Sequence, residues 1–211
     1  MEKECNVSSP LVELGGFFFK YRSFTPIAWF VLLFFCRYRP SSDLHSWLPG
    51  ILAMALGEGI RLWSVAVIGK ESRTRGSGVA RMVTGGPYGY LRNPLYVGNL
   101  LIMLGATLIS ELVWLVPAAV VLFFVQYVPV VLWEQKILRE HFGAAYDAYC
   151  REVPAWIPCF NSSYARKPVV YDWKGSFWSE RSTFATMAAV LLAMWIKEDF
   201  MHLVRYIQAH T

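Results

Sequence analysis

Two short runs of this sequence combine residue types that bind charged ligands, and the first surrounds Arg92. Asn93 and Pro94 follow it at the start of an apolar segment, and this pair is typical of a helix beginning. The free N–H groups of a first helical turn, with an arginine beside them, favour an anion. The glycines and proline of 85–89 permit tight turns before it. The pattern alone allows two interpretations, an anion-binding turn or a plain connecting loop.

The second run begins at Glu134, where an apolar segment ends. Leu138 and Phe142 follow at helical spacing, so the three side chains share one helix face. The carboxylate either accepts hydrogen bonds from an ammonium group or is simply exposed at the membrane interface. Pro129 removes a backbone hydrogen bond and predicts a kink before Glu134. His141 is interpreted as a surface residue rather than a base. Together the two runs suit an amino-acid zwitterion.

The composition predicts an integral membrane protein. Hydrophobic residues make up 55% of the chain and charged residues 17%, whereas soluble domains carry about 25% charged residues. Nine Trp and eleven Tyr suit a lipid–water interface. The net charge of +5 comes from basic residues between apolar segments. This distribution favours anionic lipid headgroups over nucleic acid as a partner.

The four cysteines lack the recurring close spacing of metal ligands, so we expect neither a disulfide nor a metal site. The chain has no internal repeat or linker. We therefore predict a single all-α domain over 1–211, a transmembrane helical bundle of four to five spans. The predicted spans are 17–36, 48–68, 95–109, 112–133 and, as either a short span or an interfacial helix, 183–196.

Individual residues refine these spans. A polar tail, 1–16, precedes the first span, in which Lys20 and Arg22 are expected to snorkel to the interface and Pro26 is expected to interrupt the helix. The second span holds Glu58 and Arg61 on one face, which permits an ion pair.

The connections between spans predict the orientation. Ser110 and Glu111 form a minimal turn, so the third and fourth spans are expected to form a tight hairpin. The basic regions 70–93 and 134–181 then lie on one side of the membrane. The positive-inside rule makes that side, and the N-terminus, cytoplasmic.

The tail after the core is rich in aromatic residues, and two interpretations of it are open. These residues either anchor the chain at the interface or cover the site and bind a partner. They are Tyr171, Trp173, Phe177 and Trp178.

Residues 83–98 resemble the R-H/N-P-x-Y-x-G signature of isoprenylcysteine carboxyl methyltransferases and related phospholipid methyltransferases. A second block is similar to the E-E-x-x-L-x-x-x-F-G-x-x-Y-x-x-Y-x-x-x-V-P pattern of the same enzymes. Its matching residues are Glu134, Leu138, Phe142, Gly143, Tyr146, Tyr149, Val153 and Pro154. Upstream, Gly57, Arg61 and Gly69 also stand where the family usually has them. The resemblance covers about 50–158 and leaves 159–211 as a C-terminal extension.

The resemblance implies a membrane-embedded methyltransferase that uses S-adenosyl-L-methionine in a cytosolic pocket. By its motifs, the cofactor-binding residues would be Tyr88, Arg92, Asn93, Pro94, Tyr96, Gly98, Glu134, Gln135, Tyr146 and Tyr149. Arg92, Tyr96 and Glu134 are the catalytic candidates among them. Glu134 would meet the methionyl ammonium group, while the tyrosines at 146 and 149 would shape the lid of the pocket.

The sequence departs from the family pattern in three places that concern the acceptor. Asn93 stands where many members have His, and Gln135 replaces a second Glu. Segment 128–133 is apolar, where prenylcysteine enzymes carry basic residues. The resemblance favours the carboxylate of a prenylated or lipidated cysteine as acceptor, drawn from the bilayer. A phospholipid amine or a small thiol is the alternative, and a non-catalytic membrane scaffold is the rival of another class.

Overall fold

The computed structural model describes residues 10–22, 24–36, 47–68 and 81–210. Within these ranges the chain is helical and forms no strand, which confirms the all-α prediction. The α-helices are α1 (Pro10–Tyr21), α2 (Phe24–Phe35), α3 (Leu48–Ile68), α4 (Pro94–Ile109), α5 (Val116–Glu152) and α6 (Trp173–His210). Short 3₁₀ turns lie at Gly86–Gly89, Val113–Leu115 and Ser163–Arg166. Most of the polar tail, the connection 37–46, Gly69 and the basic residues of 70–80 lie outside the described ranges.

Two helical segments of the described chain are long and apolar enough to cross a membrane, α3 and Val113–Glu152. Helices α2 and α4 are apolar but shorter. Large apolar side chains on these segments remain exposed, among them Leu56, Trp114 and Val121. Such side chains suit a lipid environment, so the fold agrees with the predicted membrane bundle.

The predicted first span is wrong, because residues 17–36 do not form one helix. The helix α1 begins at Pro10, inside the predicted polar tail, and the chain turns at Arg22 before α2 begins. Pro26 lies in the first turn of α2, where a missing N–H leaves no hydrogen bond unmade, so it does not interrupt the helix.

Helix α1 packs along α5 through a close approach at Gly15. A Cβ atom at this position would collide with the Pro129 carbonyl oxygen and the Trp133 side chain. One turn later the Phe19 ring packs against Trp133 with ring centroids 5.1 Å apart. A glycine at this contact therefore brings the N-terminal helix against the half of α5 that precedes Glu134.

The hairpin of α4 and α5 forms as predicted. Helix α4 ends at Ile109, and a turn at Ser110 and Glu111 reverses the chain. Glu111 takes a positive φ of 60°, a conformation that suits a sharp turn.

Helix α5 extends well beyond the predicted end of the fourth span. It runs through Glu134 to Glu152, because the polar residues after Glu134 are still good helix formers. Non-helical backbone inside it lies at Gly143, with φ 48° and ψ −126°, while Pro129, where a kink was predicted, lies inside the helix with helical backbone angles. Glycine adopts this conformation without steric cost.

Helices α3 and α4 are held close by glycines on both sides of their contact. A Cβ atom on Gly57 would lie 2.6 Å from the Gly98 carbonyl oxygen, and one on Gly98 would lie 2.6 Å from that of Gly57. Gly50 and Gly105 meet in the same way nearer the other end. Small residues permit this spacing in membrane bundles, and α3 thereby positions Arg61 beside α4.

The predicted segment 183–196 is only the middle of a much longer helix, α6. It packs on α3 through a stripe that includes the buried Ser176, Glu180, Val190 and Met194. Its other face is exposed and aromatic, including Phe177 and Trp178. This exposure favours interfacial anchoring by those aromatic residues.

Candidate functional site

A cavity of about 740 Å³ lies where α3, α4, α5 and α6 meet the loop before α4. Ligand pockets in proteins commonly measure about 300–1,000 Å³. The predicted site residues that line it are Tyr88, Arg92, Asn93, Pro94, Tyr96, Glu134, Gln135, Tyr146 and Tyr149. Gly98 is not part of this lining; it lies at the α3–α4 contact and acts on the site through helix packing. The two separated sequence runs thus share one cavity.

A hydrogen bond between two side chains of the cavity, from Tyr96 to Glu134, links the two runs directly. The Tyr96 hydroxyl donates to Glu134 Oε1 over 2.7 Å. Tyr96 is buried and its ring packs on Tyr127, with ring centroids 4.9 Å apart. The tyrosine therefore fixes one carboxylate oxygen of Glu134 beside the cavity. A second acceptor position on this carboxylate suits an ammonium group.

The turn before α4 is held by α5 and the segment that follows it. Arg92 donates from Nη1 to Cys150 Sγ over 2.7 Å, and its backbone N–H donates to the Pro154 carbonyl. Asn93 Nδ2 donates to the carbonyl of Ala155 over 3.0 Å. Asn93 consequently orients the turn and makes no side-chain cap on α4.

The first turn of α4 offers fewer free donors than the sequence predicted. The backbone N–H groups of Tyr96 and Val97 both donate to the Asn93 carbonyl over 3.2 Å. The Val97 bond is the first ordinary bond of the helix, so the Tyr96 N–H is the one of these two groups that the expectation of a bare anion-binding turn counted as free. The cationic donor at this end of the cavity is the Arg92 side chain.

Three tyrosines close the loop side of the cavity. The Tyr149 hydroxyl donates to the Tyr88 carbonyl over 2.7 Å, and the rings of Tyr146 and Tyr149 lie 6.1 Å apart. Burial, reinforced by the nearby Glu134 charge, raises the pKa of the Tyr88 hydroxyl well above its usual value. Tyr88 therefore remains a protonated hydrogen-bond donor at physiological pH. His141 is exposed, as its interpretation as a surface residue requires.

Sequence reasoning missed most of a buried polar network around Arg61. The predicted ion pair with Glu58 is confirmed, at 3.2 Å from Nε. In addition, Arg61 Nη1 donates to Asn99 and Nη2 forms an ion pair with Glu180 on α6. Asn99 in turn donates to the Tyr127 hydroxyl over 3.3 Å. The sequence signal that could have revealed this network is a charged residue inside an apolar helix, namely Arg61 in α3 or Glu180 in α6. Such residues in a membrane bundle need partners.

Two buried polar atoms on the cavity wall have no hydrogen-bond partner among the described residues. They are the Tyr88 hydroxyl and Arg92 Nε. An unpaired buried donor costs free energy of about 1–3 kcal/mol, so a bound ligand that accepts from it is favoured. The cavity thus offers two free donors, the Tyr88 hydroxyl and Arg92 Nε, and one acceptor, the Glu134 carboxylate.

The profile described as phospholipid methyltransferase matches residues 46–145. This segment is similar to the phospholipid methyltransferase family. The family segment contains α3, α4 and most of α5, and with them Arg92, Tyr96 and Glu134. Helices α1, α2 and α6 lie outside this phospholipid methyltransferase segment.

Individual proteins are also similar to this chain. The cobalt-zinc-cadmium resistance protein CzcN of Cupriavidus metallidurans is 33% identical over 110 residues, covering 52% of this chain and 47% of the relative. The nickel-cobalt-cadmium resistance protein NccN of Alcaligenes xylosoxydans xylosoxydans is 30% identical over 109 residues, covering 52% and 48%. Protein-S-isoprenylcysteine O-methyltransferase B of Arabidopsis thaliana is 28% identical over 131 residues, covering 58% and 65%.

The chain spans about half the length of the first two relatives. No solved structure matches it. Two of the relatives are named for metal resistance. Within the described ranges, no three His, Cys, Asp or Glu side chains are grouped as metal ligands would be.

Proposed function

We propose that this protein is an integral-membrane methyltransferase that uses S-adenosyl-L-methionine and modifies a lipophilic acceptor. The observation that carries the proposal is the single cavity that joins Arg92 and Tyr88 to the Tyr96–Glu134 pair. Both halves of this site fall inside the phospholipid methyltransferase segment. The membrane-spanning character of α3 and α5 fits a lipophilic acceptor.

In this proposal, different residues bind the two charged groups of the cofactor's methionyl part. Two groups without a partner among the described residues, Arg92 Nε and the Tyr88 hydroxyl, would donate to the methionyl carboxylate. Glu134, held by Tyr96, would accept from the ammonium group. Tyr146, Tyr149 and Gln135 would complete the wall around it. When bound, S-adenosyl-L-methionine supplies a methyl group that its sulfonium makes electrophilic.

The protein would accelerate transfer mainly by positioning and by excluding water. A cavity walled by buried tyrosines and apolar helices removes water from a charged nucleophile, and alignment of the reactants supplies the rest. A carboxylate acceptor needs no base, whereas an amine or thiol must first lose a proton. The candidate bases for that proton are Glu134 and Tyr96, which are hydrogen-bonded to each other in this cavity.

The favoured acceptor is the carboxylate of a prenylated or similarly lipidated cysteine. The similarity to an isoprenylcysteine O-methyltransferase supports this choice. A phospholipid amine is the second candidate, because the family that matches residues 46–145 is described as phospholipid methyltransferase. A small thiol is the third.

The test is a titration of the detergent-purified protein with S-adenosyl-L-methionine, followed by a methyl-transfer assay. We expect saturable binding for the wild type and for Arg151→Ala, an exposed arginine in the last turn of α5. Arg92→Ala should weaken binding about tenfold or more, as expected for a lost charged hydrogen bond. Labelled cofactor would then be offered with a farnesylated cysteine, phosphatidylethanolamine and an alkyl thiol.

Two outcomes would contradict the proposal. Absence of saturable cofactor binding would favour a scaffold that has the fold without the activity. Binding without transfer to any acceptor of the panel would refute the assignment of a lipophilic acceptor of these classes.

A further inference from the structure

Arg22 is a cation in the cavity that lies outside the phospholipid methyltransferase segment. It stands in the turn between α1 and α2, is half-buried and lines the same cavity as Tyr96 and Glu134. The sequence predicted that Arg22 snorkels to the membrane interface. Its side chain lines the cavity instead. The cavity residues that follow it on α2 are the apolar Pro26, Ile27 and Phe30. A guanidinium in such surroundings is stabilised by an anionic partner.

Contacts with both α1 and α5 hold Arg22 in this position. Its guanidinium carbon lies 4.0 Å from the centre of the Phe19 ring, in a cation–π contact. The Phe19 ring is itself fixed against Trp133 on α5. Gln126 Nε2 donates to the Arg22 carbonyl over 3.3 Å, which anchors the backbone of the turn. The turn is thus placed by packing, with its charge facing the cavity.

Arg22 forms no ion pair with a carboxylate in the described part of the chain. Its charge acts on Glu134 without reaching ion-pair distance, and that carboxylate already accepts from Tyr96. Arg61, in contrast, has its guanidinium nitrogens occupied by Glu58, Glu180 and neighbouring polar groups. Among the described residues, Arg22 is therefore a cavity cation beside the apolar residues of α2 whose guanidinium is left for a ligand.

We infer that Arg22 binds the anionic group, a carboxylate or a phosphate, of the lipophilic acceptor. The inference rests on the proposed methyltransferase function. Arg92 lies in the polar loop that also contains Tyr88 and is assigned to the cofactor. Arg22 precedes the apolar cavity residues of α2, which suit a lipid tail. Arg22 thus supplies a positive charge that the apolar segment 128–133 lacks.

The experiment compares matched lipid pairs that differ in one negative charge. The first pair is N-acetyl-S-farnesylcysteine and its methyl ester; the second is a lysophosphatidylmethanol, whose phosphate carries one negative charge, and the monoacylglycerol of the same chain. Binding of each is measured to the full-length wild type, Arg22→Gln and Arg22→Lys. Lys20→Gln is the control, because Lys20 is an exposed cation at the end of α1, two residues before Arg22, that does not line the cavity. Thermal unfolding checks that each variant is folded.

We expect the wild type and Lys20→Gln to bind the anionic member of at least one pair about tenfold more tightly. Arg22→Gln should abolish this preference and Arg22→Lys should retain part of it. The pair that shows the preference identifies the anion as carboxylate or phosphate. Equal affinities in the wild type, or a preference unchanged in Arg22→Gln, would overturn the inference.

A parallel titration with S-adenosyl-L-methionine separates the two proposals. Unchanged cofactor affinity in Arg22→Gln is the expected result. Weaker cofactor binding in this variant would assign Arg22 to the cofactor instead and overturn the inference. Failure of the wild type to bind the cofactor would refute the methyltransferase function, whatever the lipid preference.

Discussion

At the scale of single residues, the site is defined by polar atoms that the protein leaves unsatisfied. The Tyr88 hydroxyl is buried and has no partner among the described residues, yet the Tyr149 hydroxyl is used to hold the Tyr88 carbonyl. The backbone is therefore fixed so that the hydroxyl stays in the cavity. Such a group is unfavourable for folding alone and favourable for a ligand.

Replacing Tyr88 with Phe tests this conflict between stability and binding. The variant should unfold at the same or a higher temperature in detergent, because it removes an unpaired buried hydroxyl. Its affinity for S-adenosyl-L-methionine should fall about threefold to tenfold, the value of one hydrogen bond. Tyr90→Phe is the control, since the Tyr90 ring packs near Trp63 and Phe160 and does not line the cavity. Lower stability with unchanged affinity would contradict the role of the hydroxyl.

At the scale of helices, α3 and α4 position the site through a contact that only glycine permits. Gly57→Ala should lower the free energy of unfolding by about 1–3 kcal/mol, because the added carbon meets the Gly98 carbonyl. Gly59→Ala should be neutral or stabilise by up to about 1 kcal/mol, since no atom lies within 4 Å of its Cβ position. Thermal unfolding followed by circular dichroism measures both. Equal effects would show that helix spacing does not limit stability.

Helix α6 is fastened to the family segment by Arg61 and Glu180. Both side chains are largely buried, with 14% and 2% of their surface exposed, and the pair joins α3 to α6. Glu180→Gln should weaken this attachment by about 1–3 kcal/mol, because it leaves part of a buried charge uncompensated. Hydrogen exchange of the α6 amides should then accelerate. Lys174→Gln, an exposed charge change on the same helix, should leave exchange unaltered, and equal protection in both variants would contradict the attachment.

At the scale of the whole molecule, the features that the sequence predicted correctly are those that depend on interactions between neighbouring residues. The start of α4 at Asn93-Pro94, the turn at Ser110 and the Glu58–Arg61 pair depend on residues a few positions apart. The pairing of the two motifs came from their resemblance to a family, and the cavity brings their side chains together.

Features that depend on distant parts of the chain could not be predicted in this way. Arg61 and Glu180 are separated by 119 positions, and no periodicity relates them. Arg22 has the spacing of a snorkelling cation, and only the packing of α1 on α5 turns it into the cavity. The full length of α5 was not predicted, because polar residues end an apolar span without ending the helix.

The most direct test of the account is the affinity of the purified protein for S-adenosyl-L-methionine when Glu134 is replaced by Ala. Glu140→Ala is the matched control, an exposed carboxylate later on the same helix whose partner is Lys136. We predict saturable binding for the wild type and Glu140→Ala, and affinity reduced about tenfold or more in Glu134→Ala, since a charged partner of the ammonium group is lost. Equal affinity of the two variants would contradict the divided cofactor site.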